Sequence, residues 1–484
     1  MDHEKKLLLL LVNKYPQNKE IFYCTAEALQ KRLLQILLHL SASAIDKVDQ
    51  NNYGNFSIVN QDIKISYCFF YKTLAALIFK QLKICIYIFF ALLRSSAKLK
   101  PPFTLLMEVG GFLNNSDEDF SEFCDKGPIL ALNNANLLII MSNGPKTSVN
   151  NPRLFYARNY IKFIVDSILE RGERFVLLLN MIRSYSTSIA YILKYPIFVF
   201  LNRDLLFLPF FRYLDKKKYL QNVIITTSHF REQPLYLIGQ VSQHSKLHMI
   251  WYSQNFTKKV YHGSDQNVDL PLSGNMNVNF HWVWTQGFKE YLISRHQIAQ
   301  NINVVGPILW YLPKNELTVN RENFNVAIFD VTPTRNIASR YDIYYSAEIM
   351  KSFVADIIYV LNLVGKEYGL KINIILKQKR TIDFTKHDEF YLNFLNELVS
   401  EEKIRIQNED INMFDLISKC DFSIAIPYTS TCYISSELSK YSIFYDPSAR
   451  INPVYEKSNY NYFASGQNSL LSVVKKIIPL INKC

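Results

Sequence analysis

The sequence predicts an α/β fold of two Rossmann-like domains, preceded by an N-terminal segment of helical or mixed structure. From about residue 103, short apolar runs that are typical of strands buried on both faces alternate with helical patterns. A polar segment without clear periodicity, residues 314–323, separates two such successions, and the second succession occupies about 160 residues, the size of one Rossmann-like domain. We therefore expect domains at residues 1–100, 101–318 and 319–484.

Apolar and β-branched runs predict the strands of the first α/β domain. The run Leu105–Met107 leads into a turn with two glycines, and the later runs end in small polar residues. The predicted strands cover residues 105–111, 136–141, 222–228, 248–255, 282–285 and 303–307, with helices near 233–244 and from about 286 to 298.

The second domain shows the same alternation in a regular order. A strand at residues 324–329 is followed by a helix at about 346–366, and the remaining elements follow at short spacing. The other predicted strands are 372–376, 404–407, 422–426 and 442–445, and the other helices are 413–419, 431–440 and 470–476. Right-handed crossovers between these strands would make the sheet parallel.

Composition excludes several classes of protein. Hydrophobic residues make up 49% of the chain, which supplies sizeable cores and argues against a disordered protein. The net charge of +12 is compatible with DNA, anionic lipid or phosphorylated ligands. Because the chain has neither zinc-finger spacing nor a dense basic block, we expect no nucleic-acid partner.

The seven cysteines are scattered and form no CxxC pair. This spacing argues against a structural zinc site and a disulfide framework, and we expect no metal and a reducing compartment. The apolar stretch Leu7–Val12 is too short for a secretory signal and is interpreted as a buried strand, so we expect a cytoplasmic protein.

Two apolar regions, residues 74–93 and 175–211, raise the question of membrane contact. Lys80 and Lys83 interrupt the first, and Arg183, Lys194 and Arg203 are spread along the second. Central lysines oppose insertion into a bilayer. Both regions are interpreted as buried elements of a large domain, with a basic amphipathic surface resting on the inner face of the cytoplasmic membrane as the alternative.

Polar residues follow the strands of the second domain, at the edge where open parallel sheets bind their ligands. Hydroxyls at a helix start favour phosphate, and nearby cations add to this preference. The predicted nucleotide-binding residues are Thr332, Thr334, Arg335, Lys377, Lys379, Arg380, Pro427, Tyr428, Thr429, Ser430, Thr431 and Asp446. Each alone has an ordinary explanation, as a helix N-cap or a solvated loop residue. No dehydrogenase or P-loop glycine motif is present.

The block Ile426–Thr431, followed after a helix by Ile443–Pro447, resembles the PFTS-motif polysaccharide biosynthesis proteins, with Tyr428 in place of the motif's Phe. Residues 251–255, 282–285 and 305–307 are similar to landmarks of the same group. The resemblance covers about residues 222–446. It implies a GT-B-type bacterial glycosyltransferase with two Rossmann-like domains facing a cleft, acting in capsule or lipopolysaccharide O-chain synthesis.

The resemblance also implies where the substrates bind. The C-terminal domain would hold a nucleotide-sugar, as substrate and without a further cofactor or metal, while a glycan or lipid-linked acceptor would lie against the N-terminal domain. The expected acceptor-side residues are Glu108, Gly110, Gly111, Ser253 and Asn255.

An inverting transfer needs a general base near the acceptor hydroxyl. The candidates are the carboxylates and histidines that follow predicted strands: His229, Glu232 and Asp265, with His262 and Glu108 as further possibilities. For each one, an ordinary surface position is the competing interpretation, because chain position alone does not fix the geometry that a base needs.

Two other functions remain open at this point. One is a polyol-phosphate transferase of the teichoic-acid type, which nucleotide preference and the phosphate content of the product would distinguish. The other is a non-catalytic glycan-assembly protein on the same scaffold, which would bind glycan without binding nucleotide.

Overall fold

The structure is a computed structural model, and its description covers residues 67–94, 99, 101–107, 129, 132, 136–140, 153–157, 159–194, 199, 201–225, 244–251, 260–262, 278–294, 301–307, 323–333, 345–378, 387–407, 411–453 and 458–481. The chain divides into two compact units. The first comprises residues 1–251, 272–282 and 300–303, and the second comprises residues 252–271, 283–299 and 304–484. The domain boundaries expected after residues 100 and 318 stay predictions.

The described residues up to 304 form a seven-stranded sheet and several helices, the last of which, Gln286–Ser294, belongs to the second unit. The strands of the sheet are β1 Phe103–Met107, β2 Leu137–Ile140, β3 Leu154–Ala157, β4 Leu220–Ile225 and β5 Lys246–Ile250, then, after the short β6 Val260–Tyr261 of another sheet, β7 Phe280–Val283 and β8 Ile302–Val304. The helices are α1 Tyr67–Ala91, α2 Tyr160–Ser167, α3 Arg171–Lys194, α4 Asn202–Lys216 and α5 Gln286–Ser294. The strand order is β3-β2-β1-β4-β5-β7-β8.

The C-terminal part builds a six-stranded sheet. Its strands are β9 Phe324–Phe329, β10 Ile372–Lys377, β11 Arg405–Gln407, β12 Phe422–Ala425, β13 Tyr441–Asp446 and β15 Asn461–Ser465, while β14 Ile451–Asn452 pairs antiparallel with β6. The helices are α6 Ala347–Tyr368, α7 Glu389–Ser400, α8 Met413–Lys419, α9 Ser430–Glu437 and α10 Gln467–Ile481.

The six-stranded sheet is parallel throughout, in the order β11-β10-β9-β12-β13-β15. Counted along the chain this is 3-2-1-4-5-6, the strand order of a Rossmann sheet. The first sheet has the same order over its first six strands. The α/β class with two parallel, Rossmann-like sheets is therefore confirmed.

Helix α6 shows how the sequence builds these layers. Apolar residues recur every three or four positions, so one face packs on the sheet with Met350, Phe353 and Ile357 fully buried. Ser346 caps its start by accepting from the Ile349 amide at 3.4 Å, and Gly369 ends it at φ 66°, a left-handed conformation that favours glycine.

Candidate functional site

Strand register places three predicted segments side by side at the carboxyl edge of the six-stranded sheet. Lys377 pairs with Phe329, and Phe329 pairs with Ala425 on the other side. The residues after β10, β9 and β12 therefore lie on neighbouring strands. The chain runs from β9 to β10 and β11 on one side and returns to β12 on the other, so the edge includes the point where the strand order reverses and where open α/β sheets bind ligands.

Two buried polar atoms stand out at this edge. The Thr332 hydroxyl, after β9, and the Gln378 amide nitrogen, after β10, are buried and have no hydrogen-bond partner among the described residues. Leaving such a group unsatisfied costs about 1–3 kcal/mol. At the carboxyl edge of the sheet, these two atoms could form hydrogen bonds with the polar groups of a ligand.

Asp330 follows β9 directly, and a buried tyrosine holds its side chain in place. Its Oδ2 accepts a hydrogen bond of 2.7 Å from the Tyr391 hydroxyl, and both side chains are buried. Burial, reinforced by the Asp330 carboxylate, holds the pKa of Tyr391 well above its usual value, so the phenol stays a proton donor. The contact fixes the start of α7 against the end of β9.

Lys377 is the last residue of β10 and is buried. Its Nζ donates to the Gln378 carbonyl at 3.3 Å. A buried ammonium adjacent to the end of β9 places positive charge at the carboxyl edge, the position that the sequence predicted for it.

The segment Pro427–Thr431 forms the turn into α9. Tyr428 has φ 64°, which reverses the chain so that the helix begins at the sheet edge. Thr429 occupies the N-cap position without capping: its hydroxyl donates to the Ile426 carbonyl at 3.0 Å and contacts the Thr431 hydroxyl at 3.2 Å. Ser430 and Thr431 are buried in the first turn. The positive end of the helix dipole thus lies at the edge.

The Tyr428 side chain packs into the domain. Its ring contacts Phe444 and Phe463, with centroids 5.7 and 6.2 Å apart, and its hydroxyl donates to the Asn452 carbonyl at 3.2 Å. These contacts suit either Phe or Tyr, apart from one hydrogen bond. The donor-binding role predicted for Tyr428 is untested, and its contacts are those of an anchor for the turn.

Asp446, at the end of β13, is fully buried. Its carboxylate accepts from the amide and hydroxyl of Ser448 and from the amides of Arg450 and Ile451, at 2.7–2.9 Å. These bonds hold the loop that leads to β14. Its predicted role in donor binding stays a prediction, and we leave it out of the site proposed below.

Several predicted residues lie outside the described residues. Among the donor-binding set these are Thr334, Arg335, Lys379 and Arg380; the acceptor-side set Glu108, Gly110, Gly111, Ser253 and Asn255 and the candidate bases His229, Glu232 and Asp265 lie outside as well. His262 is described: its side chain is exposed, and its amide donates to the Arg450 carbonyl at 2.8 Å.

Asp330 and Gln378 also lie at this edge, and they are not among the residues that the sequence predicts for the site. Both follow strands directly, but the prediction of a phosphate site rests on cations and hydroxyls, which neither residue supplies. The partner of Asp330 is 61 positions away in sequence, so no local pattern announced the contact.

A separate pocket of about 240 Å³ lies within the second unit. It brings together segments after β7 and β8 with residues of α9, through Trp284, Gly306, Tyr433 and Glu437. Thr332, Lys377, Ser430 and Thr431 do not line it. The pocket is smaller than the roughly 300–1,000 Å³ of pockets for drug-sized ligands, so we place the candidate site at the carboxyl edge.

Paired histidines and tryptophans cross-link the first sheet. The Trp282 indole donates to His248 Nδ1 at 3.1 Å, and the Trp251 indole donates to His281 Nδ1 at 3.1 Å. All four side chains are buried, and burial lowers the pKa of His248 to about 4. The tryptophans that carry part of the family resemblance therefore stabilise β5 and β7.

Among the described residues, no His, Cys, Asp and Glu side chains form a metal-binding group of three.

Comparison with known proteins identifies one family and several remote structural likenesses. The model of the polysaccharide biosynthesis PFTS motif proteins matches residues 187–474. The wall teichoic acid polymerase TagF is 11% identical over 87% of this chain and 91% of its own, with a TM-score of 0.45. The UDP-GlcNAc 2-epimerase of Methanocaldococcus jannaschii is 11% identical over 78% and 93%, with a TM-score of 0.42. No curated protein gives a significant match.

Proposed function

Because the chain belongs to the family of polysaccharide biosynthesis PFTS motif proteins, we propose that it is a glycosyltransferase that transfers a sugar from a nucleotide-activated donor to a glycan or lipid-linked acceptor. The product would be a bacterial surface polysaccharide, a capsule or a lipopolysaccharide O-chain. The scattered cysteines support a cytoplasmic location for the enzyme.

The observation that carries this proposal is the carboxyl edge of the six-stranded sheet. Buried polar atoms of Thr332 and Gln378, the buried Lys377 ammonium and the start of α9 converge on neighbouring strands. A nucleoside diphosphate needs hydrogen-bond partners for its polar groups and positive potential for its phosphates. We therefore place the diphosphate at α9 and Lys377, with Thr332 and Gln378 as further hydrogen-bonding groups for the donor.

In the proposed reaction, the groups at the carboxyl edge stabilise the leaving phosphate. The acceptor hydroxyl oxygen bonds to the anomeric carbon, the bond from that carbon to the phosphate oxygen breaks, and the nucleoside diphosphate leaves with the electron pair. A helix N-terminus and a fixed cation stabilise the charge that develops on the leaving phosphate, so the transfer requires no metal ion. The proton of the acceptor passes to a general base, for which His229, Glu232 and Asp265 stay the candidates.

A panel of nucleotide-sugars tested by thermal shift examines the proposal. We expect one donor class to raise the melting temperature, because a ligand of the native state stabilises it by mass action, and turnover to release a nucleoside diphosphate. Release of a nucleoside monophosphate with phosphate in the polymer would identify a polyol-phosphate transferase instead. Glycan binding without any nucleotide binding would identify a non-catalytic assembly protein.

Lys377→Met tests the role of the cation, since it keeps most of the side chain's volume and removes its charge. We expect nucleotide affinity to fall at least about tenfold, the weight of a charge-assisted contact. Lys366→Met is the control: this exposed lysine lies in the last turn of α6, at the end of the helix that leads to the start of β10 and so to the opposite edge of the sheet. Equal affinities for the two variants in isothermal titration would exclude Lys377 from the site.

A further inference from the structure

Helices α1 and α3 carry most of the exposed apolar surface that the structure describes. Twelve of the nineteen exposed large hydrophobic side chains among the described residues lie in residues 71–93 and 175–193. On α1 they include Tyr71, Phe79, Leu82, Ile86, Phe89 and Phe90, and on α3 they include Phe175, Val176, Leu179 and Ile182. Soluble monomers rarely expose contiguous apolar patches of this kind unless the patch contacts a partner or a membrane.

The same two helices are fixed to the first unit by their opposite faces. Leu74, Leu77 and Ile88 of α1 and Leu177 and Met181 of α3 are buried. The two helices also contact each other. Each helix therefore has two apolar faces, one in the core and one in solvent.

Buried Arg174 fastens the end of α1. It donates from Nη1 to the Ala91 carbonyl at 2.7 Å and from Nε to the Leu169 carbonyl at 2.9 Å. Nearby, the Tyr87 hydroxyl donates to Asp166 Oδ2 at 2.5 Å, and Arg94 pairs with Asp166 Oδ1 at 2.9 Å. These bonds join α1 to α2 and α3, so the helix is part of the folded unit.

Charge follows the apolar stripe on α1. At 100° per residue, the exposed apolar side chains cover an arc of about 100°, and Lys72, Lys83 and Lys80 follow on one flank of it. The helix has no acidic residue, and Glu173 is the sole acidic residue of α3, where Arg183 is exposed beside the stripe. An apolar stripe flanked by lysines is the pattern of a helix that lies in a membrane interface and attracts anionic lipids.

By length and composition, Phe70–Ala91 is apolar enough to cross a membrane, and 28% of its 18-residue apolar window is buried. Its packing against α3 and the hydrogen bonds at its end tie one side to the folded unit, while Lys80 and Lys83 lie exposed near its middle. Both features oppose a span and favour a helix that lies along the bilayer surface.

We propose that the exposed faces of α1 and α3 form a docking surface for the anionic surface of a lipid bilayer. The apolar stripes enter the boundary between headgroups and acyl chains, and the flanking cations contact anionic headgroups. This surface belongs to the first unit alone and does not depend on nucleotide binding.

Sedimentation of the full chain with vesicles tests the surface directly. We expect the protein to bind vesicles of phosphatidylcholine with phosphatidylglycerol and to bind pure phosphatidylcholine more weakly. Phe79→Glu with Leu179→Glu should lower binding at least about tenfold, because both side chains leave the apolar boundary. Lys80→Glu with Lys83→Glu should lower binding to the anionic vesicles by at least about fivefold for each lost cation.

Tyr359→Glu is the matched control. Tyr359 lies on α6 in the second unit and is as exposed as Leu179, and its variant should bind vesicles as the wild type does. Unchanged melting temperatures would show that the variants fold. Three results would overturn the proposal: no binding of the wild type to anionic vesicles, full binding by the Phe79→Glu, Leu179→Glu variant, or resistance of bound protein to alkaline carbonate, which marks a spanning helix. A wild-type dimer that this variant dissociates, without vesicle binding, would assign the face to a second copy of the chain.

Discussion

At the scale of single residues, a substitution at Thr332 can distinguish an effect on nucleotide binding from an effect on stability. Its hydroxyl is buried without a partner among the described residues. Thr332→Val removes only that hydroxyl, so we expect the free energy of unfolding to stay the same or rise by up to about 1 kcal/mol, while nucleotide affinity falls. Urea unfolding and isothermal titration of the same variant measure both quantities.

Thr104→Val is the control for this change. Thr104 is buried in β1, and its hydroxyl accepts from the Asn222 side-chain amide at 3.3 Å. Losing that bond should destabilise the protein by about 1 kcal/mol and leave nucleotide affinity unchanged. If Thr332→Val behaves like Thr104→Val, the Thr332 hydroxyl has a structural role and does not belong to the site.

His248 predicts a dependence of stability on pH. Burial lowers its pKa to about 4, against 6.5 for the ordinary side chain. Between these pKa values the unfolded chain binds a proton at His248 that the native state does not bind. Stability is therefore lost as the pH falls from about 6.5 towards 4. Between pH 7 and 4.5 the loss should be roughly 2 kcal/mol from this group.

His248→Gln isolates this contribution, since glutamine hydrogen-bonds without titrating. We expect the variant to lose less stability than the wild type between the two pH values, as measured by urea unfolding followed through tryptophan fluorescence. Parallel pH profiles for both proteins would show that His248 titrates normally and that its burial is unimportant.

At the scale of elements, the turn into α9 depends on the ring of Tyr428. Tyr428→Phe restores the aromatic residue of the family's motif and loses one hydrogen bond, so we expect a cost of about 1 kcal/mol and a retained site. Tyr428→Ala leaves a cavity beside Phe444 and should cost about 3–5 kcal/mol. A cost of Tyr428→Ala near that of the exposed Tyr359→Ala in urea unfolding would contradict the anchoring role.

The helices and strands show what local pattern can and cannot predict. Strand β9 and helix α8 have the bounds that the sequence predicts, because apolar runs and clear caps define them. Helix α7 was not predicted, although Asp388 caps it by accepting from the Tyr391 amide. Strand β15 was missed because its residues, Asn461–Ser465, form no apolar run and their pairing with β13 is not visible in the local sequence.

The candidate site was partly predictable for the same reason. The rule that ligands bind at the carboxyl edge of a parallel sheet was enough to group Lys377 with Pro427–Thr431, which the strand register places on nearby strands. It did not predict that the side chains of Tyr428 and Asp446 bond within the domain, since their partners are Asn452 and the 448–451 loop. The pairing of Tyr391 with Asp330 was equally beyond local pattern.

At the scale of the whole molecule, the chain forms two sheets that share one strand order over six strands, and the proposed donor site lies on the second sheet alone. A nucleotide-sugar should therefore act on one edge of one sheet. The apolar faces of α1 and α3, in the first unit, should bind lipid equally well with and without nucleotide.

Hydrogen exchange with and without the nucleotide-sugar selected by thermal shift tests this central claim most directly. We predict slower exchange of the amides at residues 330–332, 377–378 and 428–432, where the ends of β9 and β10 and the start of α9 meet the ligand. Exchange in β1 and β4 should not change. Protection that leaves the carboxyl edge unaffected and appears instead around Trp284 and Tyr433, or in the first sheet, would contradict the assignment of the donor site.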